Sequence, residues 1–222
     1  HKIAGQNRAQ LTVSQLPANW EDEIWKIQLE IHQKNRSRQG ASLAALAMAI
    51  TSGCTSHEME RGIHFKVSEH QNLEISVAHQ SNSGQAMSKE KKLKPRSIIL
   101  ASGIQICAAT DYLVKYTCGP QQIGNSYIFS YKADRLHDLV EDLSEKYLQS
   151  LPKKYRSLKI TPQCFRHQLC ANLCATGLYD PYEIAYILGL SQPRSLKNYA
   201  LESNTKIAKQ RFINLADAGG TK

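Results

Sequence analysis

The chain has no apolar run near the roughly 18 residues that cross a bilayer; its most apolar stretch, Ala41 to Ile50, suits a core helix instead. No basic start is followed by a signal-type apolar stretch, and the first residue is His1 rather than methionine, so the sequence reads as a fragment of something longer. The six cysteines (Cys54, Cys107, Cys118, Cys164, Cys170 and Cys174) show neither disulfide-type pairing nor a C-x-x-C metal spacing. That spacing predicts a reduced, cytoplasmic setting. Cys170 and Cys174 stand one helical turn apart with His167 nearby, a pattern better suited to small packing residues than to a metal site, and no metal or cofactor is expected. Acid is the other shortage: Asp+Glu 19 against Lys+Arg 28 leaves a net charge of +9 and a pI near 9.2. Such a balance favours a polyanionic partner, either nucleic acid or an acidic membrane surface.

With 222 residues, 41% of them hydrophobic, the chain is long enough for one sizeable core, and it reads as one domain with ragged ends. Residues 1–18 are polar with a Leu-Pro break and read as a linker or arm. Trp20 to Gln33 carries apolar residues at helical spacing behind an acidic first turn, Glu21-Asp22-Glu23, which suits the positive end of a helix. Asn35 to Gly40 is a basic turn with Arg36 and Arg38. Ala41 to Thr51 is Ala- and Leu-rich and stops at Gly53.

Period-two patterning at Ile63, Phe65 and Val67, at Leu73, Ile75 and Val77, and over Ser97 to Leu100 predicts a small three-stranded sheet. The connection from His79 to Pro95 is long, polar and basic, with Lys89, Lys91, Lys92 and Lys94. Helical spacing continues over residues 101–117 and 133–150, with a short apolar run, Tyr127-Ile128-Phe129, between them. The basic segment Lys153 to Lys159 follows, with Tyr155 interleaved, and suits contact with a phosphate backbone. Ser203 to Ala216 reads as a final helix.

The stretch from Thr161 to Ala200 carries the most chemistry. Thr161-Pro162 starts a helix whose inward stripe is Phe165, Leu169, Cys170, Leu173 and Cys174, ending near Gly177, with Arg166 one step off the stripe. A second helix runs from about Pro181 to Gly189, and after a Ser-Gln-Pro turn a third carries Leu196 and Tyr199. An arginine and a tyrosine can thus converge from different helices.

Gln163-Cys164-Phe165-Arg166-His167, then Leu188-Gly189-Leu190, then Tyr199 nine residues on, together resemble the C-terminal block of the tyrosine recombinase (phage integrase) family. There an H-x-x-R-H helix start precedes a Leu-Gly-His turn and a nucleophilic tyrosine. Gly53 to Met59 is similar to the family's T-G-x-R-x-x-E-L segment, with Glu58 and Met59 on its Glu and Leu. The likeness covers most of residues 41–215.

It implies an α+β, mainly helical fold with a small three-stranded antiparallel sheet at one edge, residues 19–222 forming the catalytic domain and the family's N-terminal core-binding domain absent from this chain. Tyr199 would be the nucleophile that forms a 3′-phosphotyrosyl linkage without metal or cofactor. Arg166 would clamp the phosphate, and Gln163 would stand at the first histidine. The family's lysine acid falls near Gln80 when counted from the second strand and near Lys91 when counted back from Arg96. Lys92, Lys94, Arg96, Lys153, Lys154 and Arg194 are the expected DNA contacts.

Three positions depart from the pattern: Thr55 at the first arginine, Gln163, and Leu190 at the second histidine. They imply slowed cleavage unless another arginine, among Arg36, Arg38 and Arg61, enters the pocket. The expected partner is double-stranded DNA with self-association through the C-terminal helix, no membrane, and a cytoplasmic, nucleoid-associated setting of bacterial or phage type. The alternative is an inactive DNA-binding accessory protein of a mobile element that keeps the same fold. A helical interaction domain that meets an acidic protein or membrane is a third.

Overall fold

The computed structural model describes residues 8–34, 40–68, 72–77, 96–100, 107–117, 125–198 and 212–215. At its centre is α3 (Gly40–Ser52), whose residues from Leu43 to Ser52 are all buried. A helix apolar on every side must be surrounded, and α3 packs against α2 (Trp20–Lys34), α5 (Ala108–Thr117), α6 (Ala133–Ser150) and α7 (Pro162–Thr176). Trp20, at the start of α2, is fully buried. Its ring lies 4.9 Å from that of Phe165 and its Nε1–H donates to Gln168 Oε1 at 2.8 Å, so the indole is satisfied at both its apolar and its polar end.

The stretch expected to be a linker or arm contains a helix, α1 (Arg8–Gln15), packed on α7. Ala9 and Val13 in α1, and Leu16 beyond it, are buried in the main core. A mostly polar composition hid a narrow apolar face.

The chain forms α4 (Ser56–Arg61) and then β1 (Ile63–Val67), β2 (Leu73–Val77) and β3 (Arg96–Leu100), the three expected strands. Ile63, Phe65, Val67, Leu73, Ile75, Val77, Ile98 and Leu100 face the core in alternation. The sheet is larger than expected. Two further antiparallel strands close its edges, β4 (Ser126–Phe129) on β1 and β5 (Phe212–Leu215) on β3, in the order β4-β1-β2-β3-β5. The helix expected over 203–216 is therefore corrected at 212–215, where backbone pairing with Ile98, Ile99 and Leu100 sets the conformation; its remaining residues lie outside the described ones.

Near the motif block, Thr161 caps α7, Pro162 fills its first turn, and Gly177 ends it at φ +63, the left-handed geometry that glycine adopts most readily. Cys170 is buried, whereas Cys174, expected inward, is exposed. Asp180 caps α8 (Pro181–Ile187) reciprocally with Glu183, and a 3-10 turn over Pro193–Asn198 follows, as expected for a short third helix. No helix among the described residues is long and apolar enough to cross a membrane.

Because Trp20 joins α2 to α7 by both stacking and a hydrogen bond, Trp20→Ala is expected to lower the unfolding free energy by about 3–5 kcal/mol, read from urea denaturation at neutral pH. A loss under about 1 kcal/mol would remove Trp20 from the set of core anchors.

Candidate functional site

Arg166 lies inside the protein, 1% exposed, on the face of α7 that meets the end of α3. Its Nη1–H donates to Gly53 O at 2.9 Å and its Nη2–H to Leu188 O. The guanidinium therefore ties α7 to the C-terminal ends of α3 and α8. Gly53 makes this approach possible. Its φ is +58, and a Cβ there would sit 2.9 Å from Leu169 Cδ2 and 3.4 Å from Arg166 Cα, so only a residue without a side chain leaves room for the carbonyl to face Arg166.

Two residues beyond Gly53, Thr55 caps α4. Glu58 N donates to Thr55 Oγ1 at 3.2 Å, and Thr55 N donates to Glu58 Oε2 at 2.7 Å, a reciprocal capping box. The same Glu58 carboxylate accepts from both terminal nitrogens of Arg96, Nη1 on Oε1 and Nη2 on Oε2 at 3.2 Å. Arg166 Nη1 stands 3.8 Å from Glu58 Oε2. Two arginines and one glutamate thus converge from β3, α4 and α7.

Electrostatics follow from this packing. Burial alone would raise the Glu58 pKa; the charge and hydrogen bonds of Arg96, with Arg166 and the Thr55 N–H, outweigh it and hold the carboxyl below its ordinary range. Cys54 is fully enclosed and its thiol is pushed up to about 12. His167, next to Arg166 and 0% exposed, is pushed down to about 4 by burial first and by the Arg166 charge second. At pH 7 both are neutral.

The expected site residues therefore meet only in part. Arg166, Thr55 and the turn at Leu188 come together, and Gln163 stands one turn before Arg166 on α7, partly exposed. Leu190 is 9% exposed and packs in the core. Arg61 is exposed, and Arg36 and Arg38 lie outside the described residues, as do Tyr199, Gln80, Lys89, Lys91, Lys92 and Lys94. Lys153 and Lys154 are exposed on a 3-10 turn (Lys153–Tyr155), Lys154 lying 4.8 Å over the Tyr155 ring, and Arg194 is exposed on the turn after α8.

Arg96 is a correction. Expected at the DNA surface, it has a side chain 0% exposed and held by Glu58. The signal was in the strand alternation, since Arg96 shares its face with Ile98 and Leu100.

No protein-family model and no curated protein matches this chain. Among solved structures, it is similar to the XerH site-specific recombinase bound to palindromic difH substrate, with a TM-score of 0.50 and 14% identity over 83% of this chain and 48% of that one. The fold is recombinase-like. A second similar structure is the Tn1549 transposon integrase in complex with transposon right end DNA, at TM-score 0.45 and 21% identity over 80% of this chain and 60% of that one. The chain spans about half the length of the first of these structures. In this recombinase-like fold, the centre of the motif block holds a buried cluster of charged groups.

That cluster sits beside a titratable histidine whose folded pKa, about 4, lies below its ordinary 6.5. The stabilisation from keeping His167 neutral is complete above pH 6.5 and is lost as pH falls toward 4, a loss on the order of 3 kcal/mol. The contribution of Glu58 disappears only lower, as pH falls beneath its ordinary 4.5. Urea titrations of the intact protein at pH 7.5 and 4.5 are expected to show this drop, and His167→Gln to remove most of it; an equal drop in the variant would contradict the assignment.

Proposed function

We propose that this chain binds duplex DNA and cuts and rejoins one strand slowly, through a 3′-phosphotyrosyl linkage on Tyr199. The recombinase-like fold with Arg166 at its centre carries this reading. A net charge of +9 supports it, because a cationic surface gains affinity for phosphate by releasing counterions. In the reaction, the Tyr199 hydroxyl gives up its proton and attacks phosphorus; the new bond to tyrosine forms as the bond to the 5′ oxygen breaks, and that oxygen takes a proton. Rejoining is the same sequence in reverse. Arg166 serves as the cation on the non-bridging oxygens and Gln163 as a hydrogen-bond donor, while Lys91 is the proposed acid for the leaving oxygen. Lys92, Lys94, Lys153, Lys154 and Arg194 are the proposed backbone contacts.

Slowness follows from what surrounds Arg166. Its side chain is 1% exposed and its terminal nitrogens already donate to the Gly53 and Leu188 carbonyls, so a phosphate reaches it only if the surrounding structure moves aside. One well-placed donor is typically worth about 10² to 10³ in rate. Leu190 adds no donor, and the side chain of Thr55 is engaged in its cap.

The same observation favours a second reading, a DNA-binding protein of a mobile element in which Arg166 is only a cross-brace and no strand is cut. The two separate on a duplex pool carrying a nick in a randomised segment, which lets the fragment beyond the cleavage point diffuse away. Slow cleavage predicts a low yield of denaturant-resistant protein–DNA adduct that Tyr199→Phe abolishes without weakening binding. Salt-sensitive binding with no adduct establishes the second reading, and binding indifferent to salt rules out both.

A further inference from the structure

The short apolar run between α5 and α6 has no part in the charged cluster or in the chemistry proposed for Tyr199. It forms β4, which stands at one end of the sheet and pairs with β1 alone among the described residues. Its burial alternates. Tyr127 and Phe129 are partly buried, with the Tyr127 ring 5.8 Å from that of Phe65, whereas Ser126, Ile128 and Ser130 are exposed. Ile128, opposite His64 of β1, is 68% exposed.

An edge strand offers unpaired backbone donors and acceptors, and proteins ordinarily guard such an edge with charge, proline or a bulge. β4 carries none of these. Its pairing with β1 runs without a register shift, whereas at the other end of the sheet the β3–β5 pairing shifts between Ile99 and Leu100. No charged residue occurs from Tyr116 to Tyr131, in a chain of which 21% is charged. Lys66, which faces Ser126 from β1, is paired with Glu74 at 2.8 Å. Two copies of a chain carrying +9 repel each other; a neutral edge is where they can meet at low electrostatic cost.

The order of side chains selects the occupant. Ser126-Tyr127-Ile128-Phe129-Ser130 reads nearly the same in both directions about Ile128. A second β4 laid antiparallel along the first therefore sets Ile128 against Ile128, Tyr127 against Phe129 and Ser126 against Ser130. A two-fold axis through Ile128, perpendicular to the sheet, keeps every side chain on its own face: isoleucines and serines meet on the outer side and aromatic rings on the inner. Aromatic and hydroxyl pairs are favourable cross-strand neighbours. We propose that β4 is a self-association edge, through which two copies of this chain pair antiparallel over Ser126–Ser130 and join their sheets into one. This goes beyond the duplex-DNA reading and does not depend on it. Residues 212–215 take no part, since they pair with β3 of their own chain.

The contact is small, so the dimer is weak and concentration-dependent. Sedimentation velocity of the full chain without DNA is expected to show a reversible monomer–dimer equilibrium. Ile128→Lys sets two like charges opposite each other across the two-fold and is expected to weaken dimerisation about tenfold or more, with an unchanged circular dichroism spectrum. Ile128→Cys is expected to trap a disulfide-linked dimer under mild oxidation, because directly opposite residues of an antiparallel pair have Cα atoms about 4.5–5.5 Å apart, within disulfide reach. Ser126→Cys is expected to trap none, since position 126 faces the second copy's Ser130.

A chain that stays monomeric at every concentration, or a dimer that Ile128→Lys leaves equally tight, overturns the inference and leaves the DNA-binding reading standing. If Ile128→Lys fails to fold, the two cysteine variants decide: trapping through Ser126→Cys as readily as through Ile128→Cys overturns it. Peptide mapping must place the bond between the two copies of position 128; a bond through Cys174 or another native cysteine counts against the proposed edge.

Discussion

Among the described residues, one buried carboxylate organises the charged interior. Glu58 accepts the Thr55 N–H that begins α4, both arms of Arg96 from β3, and faces Arg166 from α7. Glu58 and the two arginines would each be costly to enclose alone, because a buried charge without its partner typically costs about 3–5 kcal/mol. The sheet and the helices consequently cannot be displaced from one another without exposing an unpaired ion. Gly53 and Leu188 complete the arrangement by turning their carbonyls toward Arg166, and the positive φ of Gly53 is the backbone condition that permits it.

Much of the fold was legible because it is periodic. The apolar spacing of α2, α3, α6 and α7, the stops at Gly53 and Gly177 and the alternation of β1, β2 and β3 each bury one face by a local rule. The parts that were hidden depend on partners. In α1 a few apolar residues among polar ones become a core face only because α7 lies against them. At Phe212–Leu215 a sequence with helical spacing pairs as a strand because β3 offers an open edge; strand preference is set largely by neighbours.

The site divides along the same line. A motif placed Arg166 in sequence, and α7 begins and ends where its caps require. Whether a guanidinium faces solvent or a carbonyl is decided by residues more than a hundred positions away in the case of Gly53, which spacing within a motif cannot encode. Arg96 stood in the opposite situation. Its inward direction was readable from alternation with Ile98 and Leu100, yet its charge suggested the surface.

Thr55 shows how closely the cap of α4 and the buried carboxylate depend on each other. Its hydroxyl and its N–H both serve the capping box with Glu58, and loss of such a cap typically costs about 1 kcal/mol. An arginine placed there would give up the hydroxyl half of the box and bring a third guanidinium to a carboxylate already shared by two. Positions 55 and 96 are therefore coupled through Glu58: an arginine introduced at 55 makes a less stable protein for as long as Arg96 remains.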